Sequence, residues 1–478
     1  MLKTKKILLL SVLIPTILIS SLSTARASDR IGIPAAKSAL LIEVDSGKVL
    51  FEYNKDEQQP ADALVKVMTL LIAVTACQDG AADPDDLVTM TSDAWADLSS
   101  SSTTRGIKTG EEMTLLDLMY CAFTGSANEA ANMVAIHIAG SIDTFVGMMN
   151  ERAKAIGCTN TNFTNPHGQY DANQYTTAFD QYIIYHEALS YPLFEEISSA
   201  FRHNTEILDS SRTLTVTSAN NMLNSGSKYY YRHCVSGLAS AVLDDGTTGA
   251  SYEGGHSSIT MAETDTLSLI AVVLGSDVVL LNDNSTERRN LTEAQRLFEY
   301  GFSQFSWRAI ISTDELVTKT SILHGDGADF VILRPESEIR DLLDNDIPDE
   351  EFIRTITIFS EVNGETLSAP ITAGDVLGEV TISRNGTMIG TVRLVASTSI
   401  GLHRFQYIKN QVANALSSTV AQIIIWVLVV VVALYAALVV RYNVIRSKRK
   451  RRNMEARQKL VEERQNPNQT QGSQNTRL

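Results

Sequence analysis

Two short apolar runs, residues 38–44 and 48–54, flank the triplet Asp45-Ser46-Gly47. Turn-forming residues between two runs of strand length predict a hairpin. Residues 65–76 are apolar almost all round, which predicts a helix buried on every side. Residues 115–123 and 130–139 carry further helical patterns and should pack within the same body. Residues 267–274 form a continuous apolar run ending at Gly275, the signature of a strand covered on both faces. Helices and strands interleave to about Phe305, so residues 28–305 are expected to form one α+β domain. After Trp307 the texture changes. Residues 330–333, 355–359, 379–383 and 387–395 are short β-rich runs, and Asn385-Gly386 joins the last two as a tight hairpin turn would. Residues 306–400 therefore read as a small all-β domain, followed by a juxtamembrane segment at 401–419.

Two further apolar stretches have a different character. Lys3, Lys5 and Lys6 precede an apolar run at 7–19 broken only by Ser11, Pro15 and Thr16, and Ala25-Arg26-Ala27 follows. This is the pattern of a secretory signal peptide over residues 1–27, with the mature chain starting at Ser28. Residues 420–440 contain no charge at all. As a helix they would span about 30 Å, one hydrocarbon core. Arg441, Arg446, Lys448, Arg449, Lys450, Arg451 and Arg452 come directly after. A basic cluster there holds the C-terminal side in the cytoplasm. The expected topology is a single-pass membrane protein with an extracytoplasmic body and a cytoplasmic tail, residues 441–478, basic first and then disordered.

Charge sharpens this picture. The 478 residues carry a formal net charge of −15, but residues 28–440 alone hold 25 basic and 52 acidic side chains. An acidic body excludes a nucleic-acid partner. Cys77 and Cys121 sit in apolar helical patterns and read as buried free thiols, while the spacing of the four cysteines leaves any disulfide pairing open. No dinucleotide, phosphate-loop, zinc or calcium motif is present, so neither cofactor nor metal is expected.

The chemistry-bearing residues come as short motifs in a fixed order. Gly47-Lys48-Val49-Leu50-Phe51 is followed by Pro60-Ala61-Asp62-Ala63-Leu64-Val65-Lys66, then Ser126-Ala127-Asn128-Glu129-Ala130-Ala131, Asn165-Pro166-His167-Gly168 and Tyr175-Thr176-Thr177-Ala178. Asp245-Gly246-Thr247-Thr248-Gly249 comes last, before the run at 269–275. The series resembles the low-molecular-weight penicillin-binding proteins, the serine D-alanyl-D-alanine carboxypeptidases, over residues 35 to about 305. The resemblance implies an α+β penicillin-binding-protein/β-lactamase-like domain, then the β-rich second domain and one transmembrane helix. It also implies acyl transfer by three motifs. Ser-x-x-Lys sets a nucleophile and a base one helical turn apart, Ser-x-Asn adds a hydroxyl and an amide, and Lys-Thr-Gly on an edge strand meets the substrate carboxylate.

Carried over residue by residue, the match is uneven. The nucleophile position is Ala63, while Lys66, Ser126 and Asn128 are kept. The Lys-Thr-Gly falls on Thr247, Thr248 and Gly249, or in a second placement on Ala239-Ser240-Ala241, and neither has the lysine. Alanine has no lone pair to attack a carbonyl, and no Ser, Thr or Cys lies within three residues of it. Lys66 then reads either as a buried relic or as a cation for an acidic peptide end. Ser126 and Asn128 read equally as a cap for the helix starting near Ala127, and Asn165-Pro166-His167-Gly168 as a structural turn. The reading is a pseudoenzyme that binds or organises peptidoglycan, its partners being stem peptide or cell-wall synthesis proteins. The rivals are an active carboxypeptidase with an unusual nucleophile, Ser126 for example, and a scaffold acting through the β domain and the tail.

Overall fold

The structure, a computed structural model, describes residues 31–465 except 33, 101, 209–211, 241–254 and 281–285. The signal-peptide residues 1–27, the end of the tail, and Thr247, Thr248 and Gly249 therefore lie outside the described residues. The chain divides into two compact units. One runs to Ala309 and includes Arg340–Asp349; the other comprises Ile310–Ile339 and the chain from Glu350.

The first unit is built on a five-stranded sheet. Its strands are β1 (Ser38–Glu43), β2 (Val49–Tyr53), β3 (Cys234–Ala239), β4 (His256–Glu263) and β5 (Ser268–Ser276), in the order β2-β1-β5-β4-β3. β1 and β5 pair antiparallel, with Leu40 opposite Val272 and Ile42 opposite Ile270. Side chains alternate across a strand, so each central strand feeds two cores. Leu40, Ile42, Ile270, Val272 and Leu274 enter the larger core beneath the helices α1 (Val65–Gln78), α2 (Leu115–Phe123), α3 (Asn128–Ala139), α4 (Ile142–Ala155), α5 (Ala178–Ala188) and α6 (Pro192–Ser199). Ala39, Leu41, Leu269, Ala271 and Val273 face the other way, onto Leu291, Ala294, Leu297 and Phe298 of α7 (Arg289–Gln304). Burial on both faces explains why β5 is apolar throughout instead of alternating. Gly301 lets α7 lie against the sheet, since a Cβ there would come within 2.6 Å of a Leu269 methyl and 2.9 Å of a Leu41 methyl.

The helix α1 is apolar all round because it runs through the middle of the larger core. Val65 to Val74 are all buried, Lys66 and Thr69 included. Cys121 is buried as expected, but Cys77 is only partly buried, because it lies in the last turn of α1 where the helix leaves the core. All four cysteines are free thiols.

The segment Arg340–Asp349 falls in the stretch that reads as the second domain, yet it groups with the first unit. Leu342 is fully buried in the core beneath α7, and Asn345 donates its amide to the Ser303 carbonyl at 3.0 Å. The second unit carries a six-stranded sheet of β6 (Thr318–Leu323), β7 (Phe330–Pro335), β8 (Ile353–Ile358), β9 (Leu367–Ser368), β10 (Val376–Arg384) and β11 (Thr387–Ala396), ordered β8-β10-β11-β7-β6-β9. Asn385-Gly386 turns β10 into β11, both residues at positive φ. The helices α8 (Arg404–Ser417) and α9 (Thr419–Gln465) follow. Within α9, Ile423, Trp426, Leu428 and Leu434 are all exposed, so the protein itself does not cover this apolar length. It is long and apolar enough to cross a membrane.

Candidate active site

The sheet edge, the start of α1 and the start of α3 converge on Ala63. A short 3₁₀ turn, Asp62–Leu64, leads into α1, so Lys66 lies in the first turn of that helix. Ala63 and Lys66 are three residues apart and share one face. Both are buried.

The Lys66 ammonium donates to Asn128 Oδ1 at 2.9 Å and to the His167 carbonyl. Burial is the largest influence on it and pushes its pKa down to about 8, against the opposing pull of Asp62 and Glu129. A lysine this close to neutrality can carry or release its proton near physiological pH.

Asn128 is the first residue of α3, and its own N–H donates to the Thr103 carbonyl at 2.9 Å. The N-cap is Ala127, with no side-chain cap at all. The expectation that Ser126 and Asn128 cap this helix is therefore overturned. Asn128 sits one position too late for capping, and its amide is turned to Lys66. Ser126 is buried at φ +54°, and its hydroxyl makes no hydrogen bond among the described residues. No hydrogen bond joins it to Lys66.

The turn Asn165-Pro166-His167-Gly168 is structural and also forms a wall of the site. Asn165 Oδ1 accepts the Gly168 N–H at 2.7 Å, and the Pro166 carbonyl accepts the Thr69 hydroxyl at 2.6 Å. The His167 carbonyl is thereby fixed over Lys66. Burial and the Lys66 charge push the His167 imidazole down to about 3, so it is neutral. Its Nδ1 accepts the Gln169 N–H at 3.1 Å. Gly168, at φ +85°, presses against the strand-to-helix turn, where a Cβ would lie 2.2 Å from the Asp62 carbonyl oxygen.

Sequence reasoning missed three parts of this arrangement. The first is the His167 carbonyl, which no side-chain pattern reveals. The second is Glu129, whose Oε1 accepts the Arg105 N–H at 2.6 Å and holds the 103–107 loop against α3; burial raises its pKa. The third is the contact between Asp62 and Ser240, the middle residue of the second Lys-Thr-Gly placement. The Ser240 hydroxyl accepts the Ser257 N–H at 2.8 Å and donates to Asp62 Oδ2. Asp62 is buried at φ +49°. The edge strand reaching Ala63 is thus β3, which ends at Ala239, with Ser240 next. That is the second of the two placements weighed for the Lys-Thr-Gly. The acidic residue beside Ala63 was visible in the motif, but nothing in the sequence tied it to residue 240.

Among the described residues no group of His, Cys, Asp and Glu could hold a metal ion. Chemically the site offers a lysine whose pKa is lowered to about 8, two amide-type acceptors and an unengaged serine hydroxyl, with no nucleophile at position 63.

The profile of the family described as D-alanyl-D-alanine carboxypeptidase matches residues 24–278. The D-alanyl-D-alanine carboxypeptidase DacF of Bacillus subtilis is 27% identical over 363 residues, covering 74% of this chain and 83% of that protein. DacC of Escherichia coli is 27% identical over 374 residues, covering 76% and 84%. Among solved structures, penicillin binding protein 5 from Haemophilus influenzae shares the fold at a TM-score of 0.54 and 23% identity, covering 77% of this chain and 98% of its own. Penicillin binding protein 6B from Escherichia coli has a TM-score of 0.54 at 23% identity, covering 76% of this chain and 96% of its own.

Proposed function

The chain belongs to the D-alanyl-D-alanine carboxypeptidase family, and from that premise we propose that it is a non-acylating member. In this reading it is exported and anchored by residues 420–440, with its body outside the membrane and its tail inside. It binds or organises peptidoglycan stem peptide without cleaving it. The observation that carries the reading is Ala63. The family's base, Lys66, and its amide partner, Asn128, are assembled around a position that has no hydroxyl. Loss of the nucleophile in a serine protease lowers turnover by a factor of about 10⁶, and the same chemistry is absent here. The missing lysine in both placements of the third motif supports the same reading, because the substrate carboxylate then lacks its point charge.

A second reading rests on Ser126, a buried residue with its backbone at a positive φ and its hydroxyl unengaged among the described residues. In that reading Ser126 attacks the peptide and Lys66 takes its proton. One experiment separates the two. The full-length protein in detergent is treated with a fluorescent penicillin and, separately, with a D-Ala-D-Ala-terminated peptide. No covalent label and no released D-alanine are expected. A label traced to Ser126 by mass spectrometry would overturn the non-acylating reading. Two restoring double variants, Ala63→Ser with Ala239→Lys and Ala63→Ser with Thr247→Lys, ask which placement of the third motif the site uses. The first is expected to regain the faster acylation, because β3 ends beside Asp62.

A further inference from the structure

We propose that Asp62 is a built-in anion whose carboxylate fills a carboxylate-binding position between the start of α1 and the end of β3, and that this position takes a ligand carboxylate once Asp62 is removed.

The geometry carries this. A buried carboxylate is costly unless hydrogen-bonded and faced by positive charge. Asp62 has both. The Ser240 hydroxyl donates to its Oδ2. A hydroxyl has one proton, and between Asp62 and the Ser257 carbonyl at 3.0 Å the carboxylate is the stronger acceptor. The Asp62 charge also acts on three basic groups around it: Lys66, His256 and Arg288. Arg288 is held in place by the carbonyl of Ala219 at 2.8 Å and by that of Ser240, so its charge sits behind the same residue that grips Asp62.

The backbone points the same way. Asp62 lies at φ +49°, a left-handed conformation that L-residues adopt at a cost. Strain of this kind persists where the surroundings over-determine it. Here Gly168 packs on the Asp62 carbonyl from one side and Ser240 holds the side chain on the other. The cations at this site thus already have their counter-ion. A peptide ending in a carboxylate must compete with it, which sets the affinity of the binding role proposed above; only the peptide arm below rests on that role.

The test uses full-length protein in detergent at pH 7. Asp62→Gly is the main variant, since glycine suits the positive φ and leaves the space open. Sodium acetate at 100 mM is compared with sodium chloride at equal ionic strength. Acetate should raise the unfolding midpoint of Asp62→Gly by about 3 °C. It should not raise that of the wild type, nor of Asp62→Asn, whose amide keeps the space filled. Equal shifts in all three proteins, or none in Asp62→Gly, overturn the proposal.

Should Asp62→Gly not fold, Asp62→Asn supplies a second readout. Removing the charge moves the Lys66 titration below about 8, and an unmoved titration overturns the proposal. In the peptide arm, a D-Ala-D-Ala-terminated peptide should bind Asp62→Gly at least about tenfold more tightly than the wild type, given the strength of charge-assisted contacts. Acetate stabilisation without peptide binding would leave the built-in anion standing and remove stem peptide as the ligand.

Discussion

A lysine ammonium placed inside an apolar helix loses its water and keeps only the partners the fold supplies. Lys66 has two oxygen acceptors, Asn128 Oδ1 and the His167 carbonyl, and they do not fully replace the water, so its pKa falls to about 8. The consequence for stability has a definite sign. In the unfolded chain the same amine titrates near 10.4. Between pH 8 and about 10.4 the unfolded state binds the extra proton, so stability rises with pH across that window. The full difference is about 3 kcal/mol. Unfolding of the wild type and of Lys66→Met, followed from pH 7 to 10.5, should show the wild-type protein gaining on the variant above pH 8. A constant difference would mean that Lys66 titrates as an exposed lysine does. Lys66, Ser126 and Asn128 were legible in the sequence because the family motif names their types and order. The roles of Asp62, Ser240 and the His167 carbonyl were not, because each depends on a contact across 100 or more residues.

At the scale of elements, patterns of period 2 and 3.6 located the strands and helices that pass through a core. The hairpin of β1 and β2, the buried helix α1, and β5 all fall where the apolar runs place them. The pattern does not say which core a strand joins. The segment Arg340–Asp349 shows this, for its Leu342 is buried beneath α7 while its neighbours in sequence build the second sheet. Lys48 adds a salt bridge to Asp341 at 3.2 Å, but both side chains are more than a third exposed, so its contribution is small. The apolar contact dominates. Leu342→Ala should destabilise the first unit by about 2–5 kcal/mol, the usual cost of emptying a leucine site. Leu323→Ala, at a largely exposed position of β6, should leave that unit unchanged. The check is chemical unfolding followed by a probe in each unit. Equal loss in both variants would mean that Leu342 is not part of this core.

At the scale of the whole molecule the decisive feature is α9. Its apolar side chains are exposed along the length that reads as a span, and that length is enough to cross a hydrocarbon core. The basic cluster from Arg441 continues the same helix. With the positive side inside, protease added outside intact cells should digest the body and spare a tail beginning near Arg441, as read by an antibody to the C-terminus. Digestion of the tail with a protected body would reverse the proposed topology.

Sequence alone determined the fold class, the family, the apolar helix, and the absence of a hydroxyl at position 63. These follow from local periodicity, from composition, and from residue identity at motif positions, all of which are written along the chain. Tertiary structure decided what surrounds that position. It turned Asn128 from a cap into a partner of Lys66, set the His167 carbonyl over the ammonium, and brought Ser240 onto Asp62 across 178 residues of separation. Hydrogen bonding and desolvation depend on distances in space. Chain order carries no distance between residues on different elements until the sheet and helices have packed.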